Sequence, residues 1–437
     1  MVNGRAAADR TPPRCFRRRT VTGLTPCCHR SCAGLIDFAL PAPGLCSAKS
    51  STGEGNMAFE PELTKREAAI AETARRFAAE EVAPHAARWE KDRVYPAETQ
   101  RRAADAGLTG LLVPESEGGH GLSLTGACRV FEELAAACMP FAFGLIVHDN
   151  LMGNIARNGS EAQRRALLPD MLACRRIGTF LLTEPGMGSD ATAVACRAVA
   201  DDGGWRLEGE KAWISSAAHA DVLSVYAQAD PEQGWRGVMC FLVEAGRPGV
   251  SRVGPYDLAG GHALGAGGFR FDGVRLTEAD VLLPQERAFR AAMSGIDAAR
   301  IFVGGMSVGM MRASLDRAVS YVKERQAFGR RIADFQGVQW MLADVETDLE
   351  ASRLLTYRAA ALVDAGRDAT RAAAHAKKFA TRAALHRIAD CMQVMGANGL
   401  RLEEPAARHL ASAKIGQYID GATEIQNVVL ARALLGS

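Results

Sequence analysis

The feature that most constrains this chain is a double switch in the spacing of its apolar residues. From about residue 61 to residue 172 the spacing is helical: Ile70, Ala74, Phe77 and Ala78 stand at i, i+4, i+7 and i+8, and Gly107, Gly118, Gly119 and Gly121 break the pattern later. From about residue 178 to residue 283 that rhythm stops. Residues 205–214, 222–227 and 238–243 are short runs rich in Val, Trp, Tyr and Phe, divided by Asp-Gly, Pro and Gly clusters, which reads as a small β domain. After about Ala288 helical spacing returns in longer pieces, with Leu315, Ala318, Val319 and Val322, then Val338, Met341, Leu342 and Val345. Long amphipathic helices with short connections predict a bundle. The expected fold is therefore α+β and multidomain. It has an N-terminal α-helical domain over 57–176, a middle small β-barrel or sandwich domain over 177–285, and a C-terminal four-helix-bundle domain over 286–437.

Composition narrows the function classes. Of 437 residues 48% are hydrophobic, enough for a sizeable core, and no uninterrupted run of about 18 apolar residues predicts a membrane span. The net charge of +2 hides an uneven distribution. Residues 1–56 hold eight basic and three acidic side chains, which leaves 44 basic and 47 acidic in the other 381 residues. A mildly acidic body without a basic stripe argues against nucleic acid as a partner. Five of the 11 cysteines also fall in the first 56 residues, and the rest are scattered singly, as expected in a reducing compartment such as the bacterial cytoplasm.

Residues 1–56 show neither helical nor strand spacing, and the expectation is a disordered or spurious extension. Their Arg-rich, acid-poor character partly fits a targeting peptide. Cys27, Cys28, His29 and Cys32 lack a second spaced pair, so they make a poor zinc site. The favoured reading is upstream DNA translated into protein. Gly53-Glu54-Gly55-Asn56 must be encoded by a purine-rich stretch of the kind that binds a bacterial ribosome, placed just before the Met57 codon.

The most informative motif is Thr183-Glu184-Pro185-Gly186-Met187-Gly188-Ser189-Asp190. Its small and turn-forming residues let backbone N–H groups approach a ligand edge or phosphate closely, although the same chemistry also makes ordinary turns. A Gly-x-Gly-x-x-Gly after a strand is missing, so a Rossmann fold is unsupported. No metal is expected.

With its neighbours in order, this motif resembles the acyl-CoA dehydrogenase family. Gly159-Ser160-Glu161-Ala162-Gln163 with Leu168-Pro169 precedes it, and Gly209-Glu210-Lys211-Ala212-Trp213-Ile214-Ser215 follows. Arg325-Gln326-Ala327-Phe328-Gly329 with Phe335-Gln336, then Gln393-Val394-Met395-Gly396-Ala397-Asn398-Gly399, come later. Asp420-Gly421-Ala422-Thr423-Glu424-Ile425-Gln426 is similar to the family's Glu-Gly-Thr-Ser-x-Ile-Gln. The resemblance spans roughly residues 67–432 and implies FAD as cofactor, an acyl thioester as substrate, and a homo-oligomer built as a dimer of dimers. It further implies an electron-transfer flavoprotein or another acceptor as redox partner.

Carried over residue by residue, it implies that Thr183 bonds the pyrimidine side of the flavin, Trp213 packs on the isoalloxazine and Ser215 reaches N5. Arg325, Gln336, Gln393 and Gly396 would clamp the pyrophosphate and adenine, partly across a subunit interface. Phe180, Gly188, Ser189, Phe328, Ala422 and Glu424 would complete the cofactor set. Ser189, Asp297, Arg300 and Gly421 would meet the substrate.

The implied chemistry is α,β-dehydrogenation. A carboxylate in a dry pocket takes the α proton, and the β hydrogen leaves as hydride to flavin N5. Asp420 holds the position where most members have Glu, one methylene longer. The alternative base position, on a helix expected to begin near Ile296, is Ala299, which cannot act. Asp-Gly is also good turn chemistry, and Thr423 with Gln426 reads as a capping box opening the last helix. Ser216-Ala217 replaces the usual Asn-Gly, Ala422 replaces Thr, Glu424 is a charged variant, and His262, Leu264, Ala266 and Gly267 replace the usual Arg and Ser/Thr. These departures suggest a divergent specialist, such as one acting on a carrier-protein thioester. Two other readings stay open. One is an oxygen-using flavin oxidase of the nitroalkane-oxidase kind, against which Asn427 speaks in place of an assisting Arg. The other is a catalytically silent binding subunit.

Overall fold

Thr64 decides where the first helix starts. Its hydroxyl accepts from the Glu67 N–H at 3.2 Å, while the Glu67 carboxylate accepts the Thr64 N–H at 2.9 Å, a reciprocal cap for helix α1 (Lys65–Phe77). The same carboxylate accepts from the N–H of Ser123, tying α1 to the start of a much longer helix. The computed structural model describes residues 59–436. The expectations for residues 1–56, the Cys27–Cys28–His29–Cys32 group and the Met57 start lie outside the described residues.

The helical layer continues through α2 (Ala83–Asp92), α3 (Ala97–Asp105), α4 (Leu124–Asn158) and α5 (Glu161–Leu172), the last opened by a Ser160–Gln163 capping box. By length and mean hydropathy (1.8 over its most apolar window) α4 could cross a membrane, although no uninterrupted apolar run betrays it in the sequence. Within the protein 94% of that window is buried, which makes α4 the axis of the interior. It bends at Cys138 (φ −159°, ψ 102°), just before Pro140. The proline ring lacks the N–H that would bond Ala136 O, and His409 Nε2, 3.0 Å away, takes that carbonyl instead.

The β layer comprises β1 (Gly178–Leu181), β2 (Arg197–Asp201), β3 (Gly204–Ile214), β4 (Val222–Gln228), β5 (Val238–Glu244), β6 (Val250–Val253), β7 (Gly267–Leu276) and β8 (Val281–Leu283). Their order is β6-β7-β3-β2-β4-β5-β8, with β1 parallel to β4. The two halves join through a single residue pair, Arg197 with Gln228, between β2 and β4. Leu181, Leu207, Ile214, Leu223, Phe241, Phe269 and Phe271 from both halves share one core.

The C-terminal layer is built from α6 (Arg287–Glu324), a hairpin of β9 (Gln326–Ala327) and β10 (Arg330–Arg331), α7 (Gln336–Asp364), α8 (Thr370–Met395), α9 (Pro405–Gly416) and α10 (Thr423–Leu435). The helix expected near Ile296 is α6, and it begins at Arg287. Small residues let α6 lie close to its neighbours: a Cβ on Gly309 would stand 2.2 Å from Glu132 O of α4, and one on Gly304 2.6 Å from Thr356 Oγ1 of α7. The expected capping box at α10 does not form. Ala422, not Thr423, is the N-cap and makes no side-chain cap, while the buried Gln426 turns its amide back to Gly421 O at 3.0 Å.

Candidate active site

Two groups of the expected site residues assemble from separate elements, and a third gathers at the end of α6. The first lies where β1 runs into the Thr183–Asp190 motif beside the end of β3. Ala212 N donates to Thr183 O at 3.0 Å and Thr179 Oγ1 donates to Ser215 O at 2.7 Å, so Phe180, Thr183, Trp213 and Ser215 share one region. Between Lys211 and Ile214 the β3–β7 register slips, a bulge that turns Trp213 outward; it is 64% exposed, at φ 59°. Gly188 and Ser189 are exposed on the motif's tip, and a Cβ at Gly186 or Gly188 would meet nothing within 4 Å.

The motif's Glu184, to which the sequence assigned no task, is its anchor. The buried carboxylate accepts from Ala195 N, Cys196 N and the buried Lys211 Nζ (2.7 Å), and Lys211 also donates to Leu182 O. A fully bonded buried pair of this kind fixes the motif on β3.

The second group surrounds Asp420. It sits at φ 51°, followed by Gly421 at φ 91°, on the turn between α9 and α10. A left-handed turn suits Gly and tolerates Asp, which explains the pair. Asp420 is half-buried as a residue, yet its Oδ2 is shut away from solvent with no hydrogen-bond partner. Burial pushes its carboxyl up to about 6, against the charges of Lys377 and Arg300. Arg300 Nε reaches Asp420 O at 3.3 Å, and its Nη1 pairs with Asp297 at 2.8 Å; Asp297 in turn accepts from Thr370 Oγ1. Ala299, beside Arg300, is buried. Ala422 is half-buried and Glu424 exposed at the start of α10. No backbone acceptor engages the Asp420 N–H among the described residues.

The turn that carries the replaced residues His262, Leu264, Ala266 and Gly267 links the two groups. Ser216 N and Ala218 N donate to Leu264 O and Gly265 O, and the same turn seats Gly260 and Gly261 on α9. A Cβ there would stand 2.6 Å from Ala411 and 2.5 Å from Ile415, respectively. His262 faces Glu90 at 2.9 Å, so the residues that replace the usual ones serve packing between layers.

The third group lies at the C-terminal end of α6. Phe328 tops the β9–β10 hairpin at φ 52° and is 95% exposed; Arg325, Gln336, Gln393 and Gly396 are exposed as well. Asn398 Nδ2 donates to Tyr321 OH, which brings the turn after α8 to the foot of that hairpin.

A helical layer, a β layer and a helical bundle, with a buried carboxylate on one turn and an outward aromatic at the end of β3, are the architecture expected of a flavin-dependent dehydrogenase. Family models agree over nearly the whole described chain: "Acyl-CoA dehydrogenase, N-terminal domain" matches residues 64–175, "middle domain" residues 179–274 and "C-terminal domain" residues 287–435. The chain belongs to the acyl-CoA dehydrogenase family. It is 35% identical to the mitochondrial short-chain specific acyl-CoA dehydrogenase of Bos taurus over 377 residues, 86% of this chain and 92% of that protein. Among solved structures, butyryl-CoA dehydrogenase from Megasphaera elsdenii superposes with a TM-score of 0.83 at 31% identity, covering 86% of this chain and all of that one. A glutaryl-CoA dehydrogenase from Mycobacterium smegmatis, in complex with FADH2, gives 0.82 at 27% identity over 86% and 96%.

The protein is thus an FAD-dependent oxidoreductase of the acyl-CoA dehydrogenase type, acting on CH–CH donors. The residues present fit the cofactor. Trp213 is an uncovered aromatic face, the glycines of the motif leave open space, and Ser216 Oγ, next to Ser215, is buried without a partner.

Proposed function

We propose that Asp420 takes the α proton of an acyl-CoA, or of a carrier-bound acyl thioester. One observation carries the reading: a carboxylate oxygen closed off from water and left unbonded, on a turn whose carbonyls are held from two sides. Desolvation makes it more basic toward carbon, while a carboxyl at about 6 is still ionised at neutral pH. The Asp420 N–H, with no backbone acceptor among the described residues, would donate to the thioester carbonyl as enolate character develops. Bound FAD supplies the acceptor, flavin N5, for the β hydrogen as hydride. Phe180, Thr183, Gly188, Ser189, Trp213 and Ser215 would hold its flavin end. Arg325, Phe328, Gln336, Gln393, Gly396, Ala422 and Glu424 would hold the remainder. The exposure of Arg325, Phe328, Gln336, Gln393 and Gly396 supports a site completed by a second copy. An electron-transfer flavoprotein would be the onward acceptor. Ser189, Asp297, Arg300 and Gly421 would line the substrate's path.

The test is anaerobic mixing of the holoenzyme with a panel of acyl-CoA thioesters. Flavin bleaching together with formation of the 2-enoyl thioester is expected. The reading fails if no thioester, CoA-bound or carrier-bound, bleaches the flavin; in a separate aerobic assay, oxidation of a nitroalkane with consumption of oxygen would then favour the oxidase reading.

A further inference from the structure

Lys377 stands mid-helix on α8, where a lysine ordinarily faces water, yet it is 0% exposed. Its Nζ donates to Gly421 O at 2.8 Å and to Gln417 O at 3.4 Å, both on the turn that carries Asp420. Stripping water from an ammonium costs several kcal/mol, and a Leu or Met would fill such a place without that cost. Two carbonyl bonds alone do not account for a full charge here. We infer that Lys377 is a positioning residue for the base: its two bonds hold the 417–421 turn in place, and its charge favours the proton-accepting form of Asp420.

This rests on Asp420 being the base. The charged groups acting on Asp420 are Lys377 from α8 and Arg300 from α6, and Glu424 on α10 acts on Lys377. Arg300 is already matched by Asp297 at 2.8 Å, whereas the bonds of Lys377 go to neutral carbonyls. Burial pulls the Lys377 ammonium down to about 8, with Asp420 opposing; burial lifts Asp420 to about 6, with Lys377 the foremost opposing charge. Between those values both groups are ionised, so the pair is charged at neutral pH.

Two variants separate the bond from the charge. Lys377→Gln keeps a donor for Gly421 O and loses the charge; Lys377→Met loses both. Flavin reduction is followed by rapid anaerobic mixing of the holoenzymes with acyl-CoA across the acid limb of the pH profile. FAD content and thermal melting are measured alongside. In both variants the acid limb should move up by about one pH unit, the scale of losing one nearby opposite charge. Lys377→Met should also lose about tenfold or more of the plateau rate, with KM little changed, as misplacement of a base predicts. Acid limbs that coincide with the wild type in FAD-replete variants would overturn the inference.

A second measurement leaves Lys377 intact. With lysines carrying ¹³C at Cε, the Lys377 resonance should titrate about one pH unit lower in Asp420→Asn than in the wild type. An unchanged titration also overturns the inference. If Asp420→Asn itself reduces flavin at the wild-type rate, the base assignment fails. If it is inactive while Lys377 is indifferent to it, only the present inference does.

Discussion

Asp420 and Trp213 share a backbone cost: both hold a side chain at positive φ, a conformation that strains residues other than Gly by roughly 1–3 kcal/mol. Ser216 and Phe328 do the same, so four of the seven such residues among those described lie in or beside the site. Motifs named these positions without revealing their backbone conformation, which sets the direction of each side chain. Glu184 teaches the opposite lesson. It lies inside the most informative motif, yet its work is structural, and only the structure pairs it with Lys211. Glu184→Ala leaves a buried ammonium without its counter-ion and two backbone N–H groups without an acceptor. We expect a loss of about 3–5 kcal/mol in urea unfolding, the size seen when one partner of a buried ion pair is removed. A loss below 1 kcal/mol would show the pair to be dispensable.

At the scale of elements, the bend in α4 and the histidines around it set a pH dependence. His148 Nδ1 accepts from Gly178 N while Nε2 donates to Met171 O, which fixes the neutral ring between α4, α5 and β1. Burial depresses His148 from 6.5 to about 4 and does the same to His409, which caps the carbonyl freed by Pro140. Because the folded values lie below the unfolded ones, the unfolded chain binds these protons first. The stabilisation is therefore complete above about pH 6.5 and is lost as pH falls toward 4. Each histidine contributes up to about 1.4 kcal/mol per pH unit within that window. Asp149 and Asp420, whose carboxyls burial raises, work against this loss, so the check is a difference. Between pH 6.5 and 4 the urea midpoint of His148→Gln should fall less than that of the wild type, and an equal slope in the variant would assign the loss to other groups. Little of this was legible beforehand. Pro140 announces a bend, but the residue that takes Ala136 O stands 273 positions away, and spacing along a helix cannot reveal it.

For the molecule as a whole, the order helices, sheet, helices follows from the period of the apolar residues, because that period reports which face of each element is buried. Separated motifs also named the residues that gather around Asp420 and Trp213. What stayed hidden were contacts between layers: the Gly260–Gly261 seat on α9, and Lys377, which in sequence is one more basic residue on a helix. Such contacts depend on where whole elements cross, and one sequence carries no local mark of that. In the proposed mechanism a proton leaves carbon for a carboxylate delivered by the bundle, beside a cofactor face delivered by the sheet. The most direct measurement is exchange of the substrate's α hydrogen with D2O, read by mass spectrometry alongside the rate of flavin reduction, in wild type and FAD-replete Asp420→Asn. Asp420→Asn should lose exchange and slow reduction by about 10²–10⁴-fold, the usual worth of a general base. Exchange and reduction at the wild-type rate in that variant would contradict the assignment of Asp420.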